Sequence, residues 1–377
     1  MSLRISGMGW VTPLGSGLTE VWERLLRGDQ PAAKTVASSI DSRTFQIFGV
    51  PPEATAAAPT HPRLRRSSAI SRYAVVAGLA ALQEAGLSLD EATAPRTAII
   101  FAISNGGVVY TKRFYHEVVE AGAQAASPLL FPETVFNAPA SHLAAILGIT
   151  GASYTLVGDG AVGILAMKMA DDLMLQPAFD RCLVVGSEEA DWLLCDAYRR
   201  WRFLRKAPPL EPFATPPRGM VLSEGAGAVL LSRTGAVSVE QIDAGCNFRQ
   251  QRDAADCVAQ VFARLAPAAD DLIVASANGT FIDAAERAAV LRHCEAATVI
   301  APKASFGESV GAGSIWQVIC AAQALQTRQL PPFTYSVSAG ELEQRNGEIE
   351  SPATQRALVS VCGLNQQVAG LTLRLAS

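Results

Sequence analysis

Residues 154–170 constrain this chain more than any other stretch. Tyr154-Thr-Leu-Val157 runs into Gly158-Asp-Gly160, and Ile164-Leu-Ala-Met-Lys-Met-Ala170 follows behind Gly163. Aromatic and β-branched residues ahead of a glycine turn predict a strand, and the Ala-, Leu- and Met-rich run behind it predicts a helix. A strand–turn–helix of this kind holds a nucleophile at a helix N-terminus, where free N–H groups and the dipole favour a thiolate or an oxyanion. The tip of this turn has no Ser, Cys or Thr. Its one reactive side chain is Asp159, which reads either as an unusual nucleophile or base, or as the N-cap of the helix behind it.

The pattern recurs along the chain. A strand over Leu3–Ser6 leads to turns at Gly7-Met-Gly9 and Thr12–Gly15, then to a helix over Thr19–Arg27 with Thr19 as N-cap. Ser71–Gly86 predicts an Ala-rich helix, Thr97–Ser104 a buried strand, Pro139–Leu147 a helix and Cys182–Gly186 another buried strand. The proline-rich segment Leu204–Arg218 predicts loop, and Gly219–Ser232 a strand, turn and strand around Glu224–Gly227. Beyond it come a strand from Val237, a strand over Asp270–Ala277 and a helix over Asp283–His293. The loop Ser305–Gly313 then leads to a helix over Ile315–Thr327, and strands over Ala357–Cys362 and Leu371–Leu375 close the chain. Alternating strands and helices predict an α/β fold with helices packed on sheets. The strand, glycine turn and apolar helix of 154–170 are echoed at 305–327, which predicts a duplication into halves 1–235 and 236–377.

Composition narrows the function. Of 377 residues, 49% are hydrophobic and 18% charged, which predicts extensive burial or an oligomer interface. A net charge of −4 gives no footprint for nucleic acid or an anionic membrane surface. Arg63–Arg66 and Arg199–Lys206 are local basic clusters, either solvated surface or a docking site for an acidic partner. Seven cysteines without a CxxC pair point away from a disulfide framework or zinc site and toward a reducing, cytoplasmic setting. The absence of metal-ligand spacing or a GxxxxGK loop implies no metal and no cofactor. No apolar run is long enough to span a membrane, and the N-terminal residues read as a strand, not a signal peptide.

Several segments together resemble the β-ketoacyl-acyl-carrier-protein synthases. Ile5–Gly15 is similar to that family's first strand and turn, and Phe136–Leu143 with Leu147–Gly151 to the segment before its active cysteine. Pro212-Phe213 with Val221–Val229, and Lys303–Gly307 with Val310–Gly313, resemble two further family segments in the same order. The resemblance implies a thiolase-like, duplicated five-layered α-β-α-β-α architecture with mixed sheets. It also implies a Cys nucleophile and two His at positions occupied here by Gly160, Asn278 and Glu308, while the family's Lys is retained as Lys303. The oxyanion-hole loop of the family corresponds to Gly363–Val368, with Leu364 at its gating Phe position, and a family acidic position falls on Gln317.

None of these replacements can do the original chemistry. Gly160 has no side chain to acylate. Asn278 donates hydrogen bonds but does not cycle a proton. Glu308 is open to two readings, a base if desolvated or an ion pair with Lys303. Glu224 reads as structural and His142 as a satisfied core histidine. Within 127–136, the family segment that meets a partner subunit, Leu130, Phe131 and Phe136 read as packing or tunnel-lining side chains, with Leu364 at the pocket entrance.

The resemblance therefore implies a non-catalytic, chain-length-factor-like subunit. It would pair with an active ketosynthase in polyketide, aryl-polyene or fatty-acid-like biosynthesis and meet an acyl carrier protein. Two alternatives stay open. One is an acyl-thioester hydrolase or acyltransferase using Asp159, Lys303 or Glu308. The other is a degenerate homodimer that only binds acyl chains or carrier protein.

Overall fold

The computed structural model describes residues 3–338, 340–345 and 354–376. Up to residue 235 it contains β1 (Leu3–Thr12), β2 (Gly15–Ser16), α1 (Leu18–Leu26), the hairpin β3 (Ala33–Ala37) and β4 (Thr44–Phe48), α2 (Ala69–Glu84), β5 (Thr97–Ile103) and α3 (Val108–Ala121). It continues with α4 (Ala138–Leu147), β6 (Ser153–Val157), α5 (Val162–Leu173), β7 (Arg181–Glu188), α6 (Trp192–Arg200) and β8 (Gly225–Ser232). Next come β9 (Val237–Asn247), α7 (Ala254–Leu265), β10 (Leu272–Val274), α8 (Phe281–His293), β11 (Thr298–Ile300), α9 (Lys303–Phe306) and α10 (Gly313–Thr327). The last elements are β12 (Thr334–Ser338), β13 (Glu341–Gln344), β14 (Arg356–Cys362) and β15 (Gln367–Leu375).

Strand hydrogen bonding runs in the order β13-β12-β11-β10-β14-β15-β9-β1-β8-β7-β5-β6. β5 lies parallel to β6 and β7, and β10 lies parallel to β11 and β14. β1 pairs antiparallel with β8 and, through Leu3–Ile5, with β9. The helices complete five layers. α2 packs outside β1, β7 and β8, and α7 outside β9, β14 and β15. Between them, α5 touches β5 and β7 as well as β9 and β15, and α10 touches β8 as well as β14. From Gly313 to Leu325, α10 is buried on every side, as its nearly uninterrupted small and apolar sequence requires. Where α5 crosses α10, a Cβ on Gly163 would lie 2.4 Å from Ser314 Oγ, so only glycine permits this approach.

Three local expectations are corrected. β1 runs unbroken through Gly7 and Gly9, where turns were expected. A Cβ there would lie 2.1 Å from the Ala81 carbonyl and 2.2 Å from that of Ala77, so these glycines admit α2 against the strand. α1 starts at Leu18 with Gly17, not Thr19, at the N-cap. Glu224 precedes the single strand β8 and does not sit in a hairpin turn. No helix among the described residues is long and apolar enough to cross a membrane.

Candidate functional site

The glycine turn joins β6 to α5 as the sequence predicts, but Asp159 does not cap the helix. The N-cap is Ala161, with no side-chain hydrogen bond. The Asp159 carboxylate instead accepts backbone N–H groups of the facing loop, from Leu364 at 3.2 Å and Asn365 at 2.6 Å. The Asp159 N–H in turn donates to Gln367 Oε1 at 3.0 Å. The loop Gly363–Gln366 is therefore clasped to the elbow. A Cβ on Gly363 would fall 2.0 Å from Asp159 Oδ2, so the clasp depends on a glycine there. A Cβ on Gly160 would meet Gly363 Cα at 3.2 Å, which leaves little room for a longer side chain. Burial pushes the Asp159 carboxyl above its ordinary range, the N–H groups of Asn365, Gly160 and Leu364 pull it back, and the charge of Glu308 raises it further. The elbow N–H and the loop N–H groups, donors suited to an oxyanion, thus face a carboxylate the chain itself supplies.

Behind the elbow, Asn278, Glu308 and Lys303 form one buried unit. Glu308 Oε2 accepts from Lys303 Nζ and from Asn278 Nδ2, each at 2.7 Å, and the three residues are 2%, 4% and 0% exposed for Glu308, Lys303 and Asn278. The ion pair foreseen between Lys303 and Glu308 is present. Asn278 Oδ1 accepts from the Thr280 hydroxyl at 2.6 Å, so the amide is engaged at both ends. Thr280 caps α8, and Asp283 in its first turn accepts from the N–H groups of Asn278 and Gly279. Burial raises the Asp283 carboxyl to about 6 and, deeper in, that of Glu286 to about 7. Gln317 donates to the Ser360 carbonyl at 3.0 Å and so ties α10 to β14.

A cavity of about 440 Å³ opens in front of the elbow, lined by Asn105, Asp159, Tyr198, Trp201, Asn247, Leu364 and the amides of Asn365–Gln367, among others. Lys303 and Glu308 do not line it. Leu194 and Tyr198 on α6 and Trp201 at its C-cap share one face, at a spacing of four and three residues. The remaining candidates are dispersed. Leu130 is buried beside a separate cavity of about 380 Å³ lined by Arg65, Arg66 and Arg113. Phe131 is 56% exposed and packs at a tilt of 55° against Phe114, and Phe136 is 43% exposed against Gly106. In the other basic cluster, Arg199 and Arg200 both pair with Asp196, as does Arg43. His142 is half-buried, with Nε2 2.6 Å from Glu133 Oε1, and Glu224 takes Lys34 and the Val50 N–H.

A duplicated α-β-α-β-α fold with a glycine elbow feeding a buried central helix defines a thiolase-like protein. Residues 2–236 match the β-ketoacyl synthase N-terminal domain, and the chain belongs to that family. It is 27% identical over 358 residues to nodulation protein E of Rhizobium leguminosarum bv. trifolii, covering 87% of each chain. It superposes on the ishigamide ketosynthase/chain length factor with a TM-score of 0.85 at 19% identity, over 100% of this chain and 99% of the other. It likewise superposes on the ketosynthase ApeO in complex with its chain length factor ApeC from Xenorhabdus doucetiae, with a TM-score of 0.79 at 18% identity, over 100% and 98%.

Proposed function

We propose that this chain is a non-catalytic, chain-length-factor-like subunit that pairs with an active β-ketoacyl-carrier-protein synthase in polyketide, aryl-polyene or related acyl-chain biosynthesis. The observation that carries this reading is the self-occupied elbow. A glycine stands where the nucleophile would be, and the neighbouring donors are taken by Asp159. An acyl thioester arriving there finds neither a group to attack it nor free donors for its oxyanion.

The surface supports a partner. Among the described residues β6 ends the sheet, with no strand on its outer edge, and Tyr154 and Val157 on it are 45% and 53% exposed. Leu129, Phe131, Val135 and Phe136 are also exposed large apolar side chains, from the segment that precedes α4. An open edge strand and exposed aromatics mark surfaces that bind another chain. The similarity to ketosynthase–chain length factor structures favours a synthase subunit as that chain, with a second copy of this one as the alternative. In this reading Leu130, Phe131, Phe136 and Leu364 shape the acyl path, and Arg65, Arg66 and Arg113 meet an acidic carrier protein.

The rival reading is a hydrolase or acyltransferase using Asp159, Lys303 or Glu308; Lys303 and Glu308 are buried against each other away from the cavity, and Asp159, which lines it, has its carboxylate engaged by the Leu364 and Asn365 N–H groups. The test is co-expression with a panel of active ketosynthase subunits, with the affinity tag on this chain. Stoichiometric co-purification, with product length changed by Phe131→Ala or Leu130→Ala, is the expected result. A homodimer that hydrolyses acyl thioesters and loses that activity as Glu308→Gln would sink the proposal.

A further inference from the structure

Six of the seven cysteines are buried, and Cys246 alone is partly exposed. It lies on β9, and its thiol reaches the Cys257 carbonyl at 3.6 Å across to the first turn of α7. The Cys257 thiol is its hydrogen-bond neighbour as well. Arg264, one helical face further along α7, is anchored by Asp243 and places its guanidinium beside the Cys246 sulfur. Sequence reading found no paired spacing, because ten residues and a change of element separate the two cysteines.

We propose that Cys246 and Cys257 are a peroxide-responsive thiol pair that closes to an intramolecular disulfide. The partly exposed Cys246 sulfur gives up its proton and attacks one oxygen of hydrogen peroxide. The O–O bond breaks, the departing hydroxide takes up the released proton, and Cys246 becomes a sulfenic acid. The Cys257 sulfur then attacks the Cys246 sulfur and expels hydroxide, which leaves as water with the Cys257 proton. The peroxide is reduced by two electrons and the two thiols are oxidised by two. The buried Cys257, whose thiol is pushed up to about 11 by burial and then by its neighbour, suits the second, resolving role.

The position gives the bond a consequence. Cys246 pairs with Val368 across β9 and β15, and Asn247 pairs with neither a free edge nor solvent alone but with Gln367, whose side chain takes the Asp159 N–H. Asn247 and Gln367 both line the elbow cavity. A disulfide would tie β9, next to the cavity-lining Asn247, to α7.

The test uses the full chain treated with hydrogen peroxide, quenched, then alkylated with iodoacetamide in denaturant and mapped by mass spectrometry. Five of the seven thiols are expected to alkylate, with one cross-linked peptide joining Cys246 to Cys257. In Cys257→Ala the reaction should stop at a Cys246 sulfenic acid that dimedone traps. If that variant does not fold, Arg264→Gln provides the second measurement and should slow the disulfide. Seven alkylated thiols, a disulfide to any other cysteine, over-oxidation of Cys246 beside a free Cys257, or an unchanged rate in Arg264→Gln would each overturn the proposal.

Discussion

At the scale of single residues, the site is a set of substitutions that satisfy one another. Asp159 accepts from the N–H groups of the loop facing the elbow, and Glu308 accepts from both Asn278 and Lys303. Gly160→Cys alone should therefore give no condensation, read as no consumption of a malonyl thioester, because the loop at Gly363 crowds the new side chain. Asp159→Ala should release the loop. The amides of Leu364 and Asn365 should exchange faster, and stability should drop by about 1 kcal/mol, the net worth of hydrogen bonds at a partly exposed loop. Lys303→Met strands a buried carboxylate and should cost about 3–5 kcal/mol in chemical denaturation. Adding Glu308→Gln to it should recover most of that loss, and a double variant no more stable than the single one would show that the pair does not act as described.

At the scale of elements, glycine marks close approach more often than it marks a turn. Gly9→Ala should cost about 1–3 kcal/mol in thermal unfolding, because its Cβ would enter the Ala77 carbonyl of α2. This is also where the sequence was hardest to read. The helices over Ala138–Leu147, Phe281–His293 and Gly313–Thr327 and the strand Thr97–Ile103 follow from apolar periodicity within a residue or three. Gly7 and Gly9 look identical to turn glycines because the helix that requires them lies some seventy residues away. The elbow was legible for a similar reason of locality, since strand, turn and helix are contiguous. The clasp was not, because Asp159 and its partners Leu364 and Asn365 are joined only by the fold. The cap assigned to Asp159 was the strongest local interaction available, and a distant loop outcompeted it.

At the scale of the molecule, the interior carries carboxyl groups that prefer to stay neutral. Burial raises Glu188 to about 8, Glu286 to about 7 and Asp283 to about 6, from ordinary values of 4.5, 4.5 and 3.8. Between those limits the folded chain holds protons that the unfolded chain has lost. Their contribution is therefore complete below the unfolded values and is lost as pH rises through the folded ones. The melting temperature should fall between about pH 4 and about pH 8, the window those values define. Glu286→Gln, fully buried beside Ser276, should flatten the part of that slope between 4.5 and about 7, a difference of order 1–3 kcal/mol. An unchanged slope in the variant would assign the pH dependence to other groups.

The first strand carries a consequence for how the chain is made. β1 finds the short β2 close by in sequence, yet most of one edge waits for β8, beginning at Gly225, and Leu3–Ile5 wait for β9, beginning at Val237. α2 can cover one face early, but the pairings with β8 and β9 close only after a long intervening stretch of chain has been made. During that interval an apolar strand with two open edges is free to pair with the wrong neighbour. Conditions that slow folding of the chain should therefore favour aggregates, read as a smaller soluble fraction.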